Sequence, residues 1–140
     1  MSGIKRTAAD VAFSTCVRER SDWTCELCGK QYPEGNRQGL HCSHYIGRRN
    51  MATRFEPLNA MALCCGCHSK VGGDPPYHTA IVEERLGEQY EILLEKKRMI
   101  VPKADRQDRE VAKWFRLQHK AMREKRMAGV TGRIEFQGWL

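Results

Sequence analysis

The sequence predicts an α+β fold in which a two-stranded hairpin and a short helix are drawn together by four cysteines, with further helices on both sides. Three observations carry this. Two C-x-x-C pairs, Cys25 with Cys28 and Cys64 with Cys67, lie on either side of a central segment. Within that segment, residues 40–46 and 59–63 are short, apolar and bounded by turn residues. Before and after it, apolar residues recur at helical spacing. Two C-x-x-C pairs supply the four thiolates of a closed tetrahedral zinc site, which is structural because no position stays open for water. A secreted disulfide scaffold is the rival for a chain with seven cysteines. The odd count, the pairing and the absence of a signal-peptide pattern favour metal in a reducing compartment. Cys16, Cys42 and Cys65 are then left as free thiols.

The elements follow in order. Residues 1–6 read as a frayed basic start. Thr7 can cap a helix from Ala8, with Val11, Phe13, Cys16 and Val17 on its apolar stripe and Arg18, Glu19 and Arg20 toward its end. Ser21-Asp22 breaks it, and Trp23 is expected to pack beside the metal. Cys25 to Lys30 reads as a zinc knuckle, in which Gly29 supplies a positive φ after the second thiol. Residues 31–39 form a polar loop. Leu40 to Ile46 suits a strand, ended by Gly47 to Asn50. A connector over 50–57 carries Arg54, and Pro57 disfavours helix at Glu56. Asn59 to Leu63 forms the returning strand. A helix then starts within Cys64 to Cys67 and stops at Gly72-Gly73.

Asp74-Pro75-Pro76 reads as a hard break. Helices are expected over 77–86 and 89–99, the second with Ile92, Leu93 and Leu94 turned inward. Asp105 caps a long helix to about Met127, with Val111, Trp114, Phe115, Leu117 and Met122 apolar. Ile134 to Phe136 suits a short strand. The chain thus divides into a metal-bearing core, 1–73, and a basic helical region, 74–140, packed on it within a single domain.

The 140 residues carry a formal net charge of +7, which points to an acidic partner, most simply nucleic acid. No apolar run is long enough to span a bilayer, so no membrane partner is expected. Arg48, Arg49 and Arg54 flank the hairpin and suit phosphate oxygens, since a guanidinium presents paired donors. Arg109, Lys113, Arg116 and Lys120 put further positive charge on the last helix, as DNA contacts or as a solvated face.

His44, Asn59 and His68 complete the pattern. Hydrolysis of a phosphodiester needs a water deprotonated near neutral pH, and a histidine titrates there. It also needs a cation to stabilise the charge on phosphate and leaving oxygen. His44, at the end of the first strand, is the candidate base. His68 cannot easily join Cys67 on one zinc, so it is free to hold a second metal. Asn59 can hold the hairpin turn and orient His44. The residue before the base is Ser43, a poor ligand for a hard cation. His41, two positions earlier on the same side of the strand, can substitute. The first ligand of the catalytic metal therefore stands between His41 and Ser43.

Ser43-His44, Asn59 and Cys64-x-x-Cys67-His68, framed by Cys25-x-x-Cys28, resemble the HNH (His-Me finger, ββα-metal) endonucleases. More closely, Phe13 through Leu93 resembles the phage lambda NinG (Rap) family. The likeness lies in Arg18-Glu19-Arg20, Cys25-x-x-Cys28-Gly29, His41-x-x-His44-Tyr45, Arg48-Arg49, Arg54-Phe55, Asn59 and Cys64-x-x-Cys67-His68. It implies a treble-clef-like ββα-metal core and a recombination nuclease acting on branched DNA, such as Holliday junctions or D-loops. It further implies Mg²⁺ or Mn²⁺ at the catalytic site, zinc at the cysteines, and action in the host cytoplasm. Many HNH nucleases have an acid or a histidine where Ser43 stands; NinG-like sequences carry a small residue there. One site per chain and two cuts per junction imply a homodimer or two sequential nicks. The rivals are an HNH nickase on ordinary duplex and a non-enzymatic zinc module that binds DNA.

Overall fold

A computed structural model describes residues 4–140. Residues 1–3 of the expected frayed start lie outside the described residues. The first helix, α1, spans Ala8–Arg20. Thr7 caps it in a reciprocal box: its hydroxyl accepts from the Asp10 N–H, and the Asp10 carboxylate accepts from the Thr7 N–H at 2.9 Å. The knuckle follows, with Gly29 at φ +79° as its position requires.

Strands β1 (Leu40–His44) and β2 (Ala60–Cys64) pair antiparallel, with Leu40 opposite Cys64 and His44 opposite Ala60. The first strand is two residues shorter than its composition suggests. Beyond Tyr45 the Asn59 side chain, not a strand, satisfies the backbone of Ile46. The connector folds into one turn of helix, α2 (Met51–Arg54), capped by Asn50, and a 3₁₀ turn at Pro57–Asn59. Helix α3 (Cys65–Gly72) leaves β2 directly.

The prolines at 75 and 76 start a helix instead of interrupting the chain. Helix α4 spans Pro75–Leu86, capped by Asp74, with both prolines in its first turn, where their missing N–H groups would have no partner. Helix α5 covers Gln89–Lys96. It buries Leu93 fully but leaves Ile92 57% exposed, so only part of the expected inward stripe turns inward. A 3₁₀ turn at Lys103–Arg106 precedes α6, Asp108–Met127. No strand forms at 134–136. The Ile134 N–H donates to the Arg20 carbonyl at 3.1 Å, and the Ile134 and Phe136 side chains plug the core.

The chief packing is α1 against α6. Phe13 meets Phe115, Phe136 and Phe55 edge-on, with ring centroids 5.1, 5.8 and 6.0 Å away. One hydrophobic cluster runs from these rings through Leu40 and Leu63 to Val71, Val82 and Leu93, so it takes residues from both sides of positions 72–76. Trp23 is buried in the same cluster as Cys25.

Charge is also buried where α1 ends. Arg20 donates to the carbonyls of Pro57 and Ala60 at 2.9 and 2.5 Å, and the Arg18 Nε to that of Leu40 at 2.7 Å. Glu19 faces the other way, accepting from His119 and Arg126 of α6 at 3.1 Å each. The Arg18-Glu19-Arg20 run is thus a structural joint between hairpin, α1 and α6.

Candidate active site and metal centre

The knuckle and the start of α3 bring Cys25, Cys28, Cys64 and Cys67 together, with all four Sγ atoms within 4.8 Å of one another. Cys28 Sγ and Cys64 Sγ stand 3.8 Å apart. Two thiolates each about 2.3 Å from a tetrahedral zinc are themselves about 3.8 Å apart, so the spacing fits a metal such as zinc. Backbone N–H groups of Cys28 and Cys67 point at the sulfurs of Cys25 and Cys64, at 3.5 and 3.4 Å, as they do toward thiolates. The pKa values of the Cys64 and Cys67 thiols are driven apart. The Cys67 N–H draws the Cys64 thiol down to about 7, while burial and the neighbouring sulfurs push that of Cys67 up. A divalent cation removes the conflict. Among the described residues this is the one group of three or more His, Cys, Asp or Glu side chains suited to a metal.

His44 closes β1 and lies beside the Phe13 ring, with centroids 5.7 Å apart. Its Nε2 stands 3.0 Å from the Arg54 carbonyl. A carbonyl only accepts, so Nε2 carries the proton and Nδ1 of the neutral ring keeps its lone pair. Burial pushes the pKa of His44 below its ordinary value, against the Arg54 carbonyl and Asp10, which raise it. The ring is therefore neutral at pH 7, with a lone pair on Nδ1.

Asn59, only 1% exposed, acts at one remove. Its Oδ1 accepts from the Ile46 N–H at 2.7 Å, and its Nδ2 donates to the carbonyls of Ile46 and Thr53 at 2.9 and 3.1 Å. It thereby closes the 46–53 loop that delivers the Arg54 carbonyl to His44.

His41 and His68 meet with their Nδ1 atoms 2.9 Å apart. His41 Nε2 lies 2.9 Å from the Gln38 carbonyl, which fixes the His41 proton there and leaves its Nδ1 an acceptor. Burial, then His41 and His78, lower the pKa of His68. His68 and His44 line one cleft of about 350 Å³ together with Cys42, Arg48, Asp10 and Arg6. Ser43 is 2% exposed, and neither it nor His41 is among the residues lining that cleft. Of the two expected first ligands, the fold brings His41 to His68 and not Ser43.

The flanking arginines divide. Arg54 grips Asp10 with two donors, Nε on Oδ1 at 2.9 Å and Nη2 on Oδ2 at 2.5 Å. Arg48 reaches the same carboxylate at 3.3 Å and the Ile4 carbonyl at 3.0 Å. Two of the three arginines expected to clamp phosphate are thus engaged inside the protein, because the buried Asp10 carboxylate needs them. Arg49 is exposed. On α6, Arg109, Lys113, Arg116 and Lys120 are all exposed and lie along one stripe at i, i+4, i+7 and i+11.

The sequence reading did not single out Asp10, Cys42 or Arg6. Thr7-x-x-Asp10 is a capping-box pattern and could have marked Asp10; Cys42 lies two residues from His44 and so shares its side of the strand. Nothing local marks Arg6. No helix among the described residues is long and apolar enough to cross a membrane. The chain matches no family model, no curated protein and no solved structure.

Proposed function

We propose that the chain is a metal-dependent HNH-type endonuclease that cleaves DNA phosphodiester bonds, and that branched recombination intermediates are its substrates, as in the NinG (Rap) family it resembles. One observation carries the reading. A half-buried, neutral histidine with its Nε2 proton fixed on a carbonyl, which leaves Nδ1 its lone pair, lines a cleft that His68 also lines. In this reading His44 Nδ1 takes a proton from water as the water oxygen bonds to phosphorus and the P–O bond to the leaving strand breaks.

The Nδ1 atoms of His41 and His68 suit the catalytic cation. Two ligands about 2.1 Å from an octahedral metal, at right angles, are about 3.0 Å apart, close to the 2.9 Å between these nitrogens. The Gln38 carbonyl that accepts from His41 Nε2 is the kind of outer partner that orients metal-bound imidazoles. When bound, Mg²⁺ or Mn²⁺ supplies positive charge to the phosphate and leaving oxygen; imidazole ligands favour Mn²⁺ of the two. Zinc in the four-cysteine cluster has a structural part only.

A second reading rests on the exposed basic stripe of α6 and on the engagement of Arg48 and Arg54 with Asp10. On this reading the chain is a zinc-bound DNA-binding module without catalysis. Incubation of four-way junction and linear duplex oligonucleotides with Mn²⁺ or Mg²⁺ decides between them. Cleavage is expected, and His44→Ala should reduce its rate by about 10²-fold or more while DNA affinity stays within about twofold. Undiminished cleavage by His44→Ala excludes it as the base, and no cleavage by the wild type moves the reading to the binding module.

A further inference from the structure

We propose that Arg6 is a substrate-binding residue of the cleft, its guanidinium taking the non-bridging oxygens of the phosphodiester held between His44 and His68. The inference rests on the nuclease reading of that cleft.

The other arginines nearby are already occupied. Arg54 spends Nε and Nη2 on Asp10, and Arg48 spends its two terminal nitrogens on Asp10 and on the Ile4 carbonyl. Arg54 also reaches the Lys5 carbonyl, at 3.4 Å. Their contacts tie down the backbone just before Arg6. The Thr7–Asp10 capping box fixes the backbone just after it. Arg6 is thus held from both sides with its side chain lining the cleft.

Its own bonding leaves it available. The Arg6 Nη2 donates to the Ser14 hydroxyl at 3.0 Å, and among the described residues no carboxylate forms an ion pair with it. A guanidinium has five N–H donors in a planar fork, and four remain. The cleft offers no competing anion. The one carboxylate in it, Asp10, is already matched by Arg54 and Arg48. A cleft with an unmatched guanidinium and no free negative charge is complementary to an anion, and a phosphodiester pairs its two non-bridging oxygens with such a fork.

Single-turnover cleavage with excess enzyme tests this on Arg6→Ala and Arg6→Lys, with zinc content and thermal midpoint as checks on folding. Arg6→Ala should lower the rate about 10²-fold, and Arg6→Lys should recover part of it. Methylguanidinium added to Arg6→Ala should restore activity, which a merely structural role would not allow. In the His44→Ala background, fluorescence anisotropy should show Arg6→Ala weakening DNA binding several-fold and lowering the salt slope by about 1. Wild-type rates in Arg6→Ala overturn the proposal and leave the nuclease reading intact. If the wild type cleaves nothing, the nuclease reading fails, and equal affinity and salt slope with and without Arg6 then overturn this proposal too.

Discussion

Burial raises the energy of the Asp10 carboxylate, and Arg54, Thr7 and the charge of Arg54 lower it again, leaving its pKa below the ordinary value of 3.8. Glu19, held by His119 and Arg126, is likewise below 4.5. For a carboxyl whose folded pKa is depressed, the unfolded chain takes up the proton first as pH falls. The stabilisation is therefore complete above the unfolded pKa and disappears as pH drops through the folded one. Asp10→Ala should cost about 3–5 kcal/mol at pH 7, because it leaves the Arg54 charge without its partner and removes half of the capping box. Urea unfolding at pH 7 and at pH 3 checks this: the gap between wild type and variant should narrow at the lower pH. An equal gap at both values would assign the loss to packing and not to charge. His44 has the matching consequence for activity. Its depressed pKa should place the acid limb of the cleavage rate below pH 6.5, and a limb above that value would contradict a half-buried neutral base. At this scale the sequence exposes residues whose chemistry needs one side-chain type at one spacing, such as the four thiols and the histidines. It exposes Asp10 only as a capping-box residue and not as the partner of Arg54, which lies 44 positions away, and it does not expose Arg6.

A hairpin of two five-residue strands is marginal alone, and here it is clamped from three directions. The four cysteines, which could hold a structural metal such as zinc, bring the knuckle to the start of α3; Arg20 ties β2 and the turn before it to α1, and Asn59 closes the loop. The metal clamp was legible because C-x-x-C spacing is a constraint of coordination geometry. Asn59 was expected to hold the hairpin turn, from its place at the start of the returning strand. The Arg20 clamp was not legible, because a buried arginine reads in sequence like a surface one. The prolines after Asp74 misled for a related reason: proline interrupts the middle of a helix but suits its first turn, and only the Asp74 cap distinguishes the two. Cys64→Ser or Cys25→Ser should each abolish retention of one zinc per chain after dialysis, as read by elemental analysis. They should also reduce the near-ultraviolet dichroism of the nearby Trp23. Full zinc in both variants would sink the assignment. Asn59→Ala should cost about 3 kcal/mol, roughly one for each hydrogen bond, and should slow cleavage by freeing the Arg54 carbonyl that orients His44. Destabilisation with an unchanged rate at 10 °C would mean that the loop does not position the base.

At the scale of the whole molecule, α6 does two things with its two faces. Val111, Ala112, Phe115 and Met122 pack inward, and Arg109, Lys113, Arg116 and Lys120 form a continuous positive stripe outside. The helical period of this segment was plain in the sequence. The packing partner was not, and Leu117, apolar in the pattern, is 56% exposed because it falls off the face that meets α1. The candidate cleft lies on the hairpin side of α1, while the stripe lies on the outward side of α6. A linear duplex engaged at the cleft leaves it along a single axis, whereas a four-way junction sends arms along more than one. A second basic surface therefore gains more phosphate contacts from a junction than from a duplex, and each neutralised phosphate adds salt-sensitive affinity. Gel-shift titrations over several salt concentrations should show tighter binding and a steeper slope for a four-way junction than for linear duplex of the same arms. Replacing the four stripe residues by glutamine should flatten the junction slope by about 3–4 and leave the duplex slope less changed. Since one chain carries one His44, junction resolution requires two protomers or two successive nicks. Sedimentation of the junction complex separates these, with two chains per junction marking a dimer. Equal affinity, slope and cutting rate on both DNAs would remove the junction preference and leave a nickase acting on ordinary duplex.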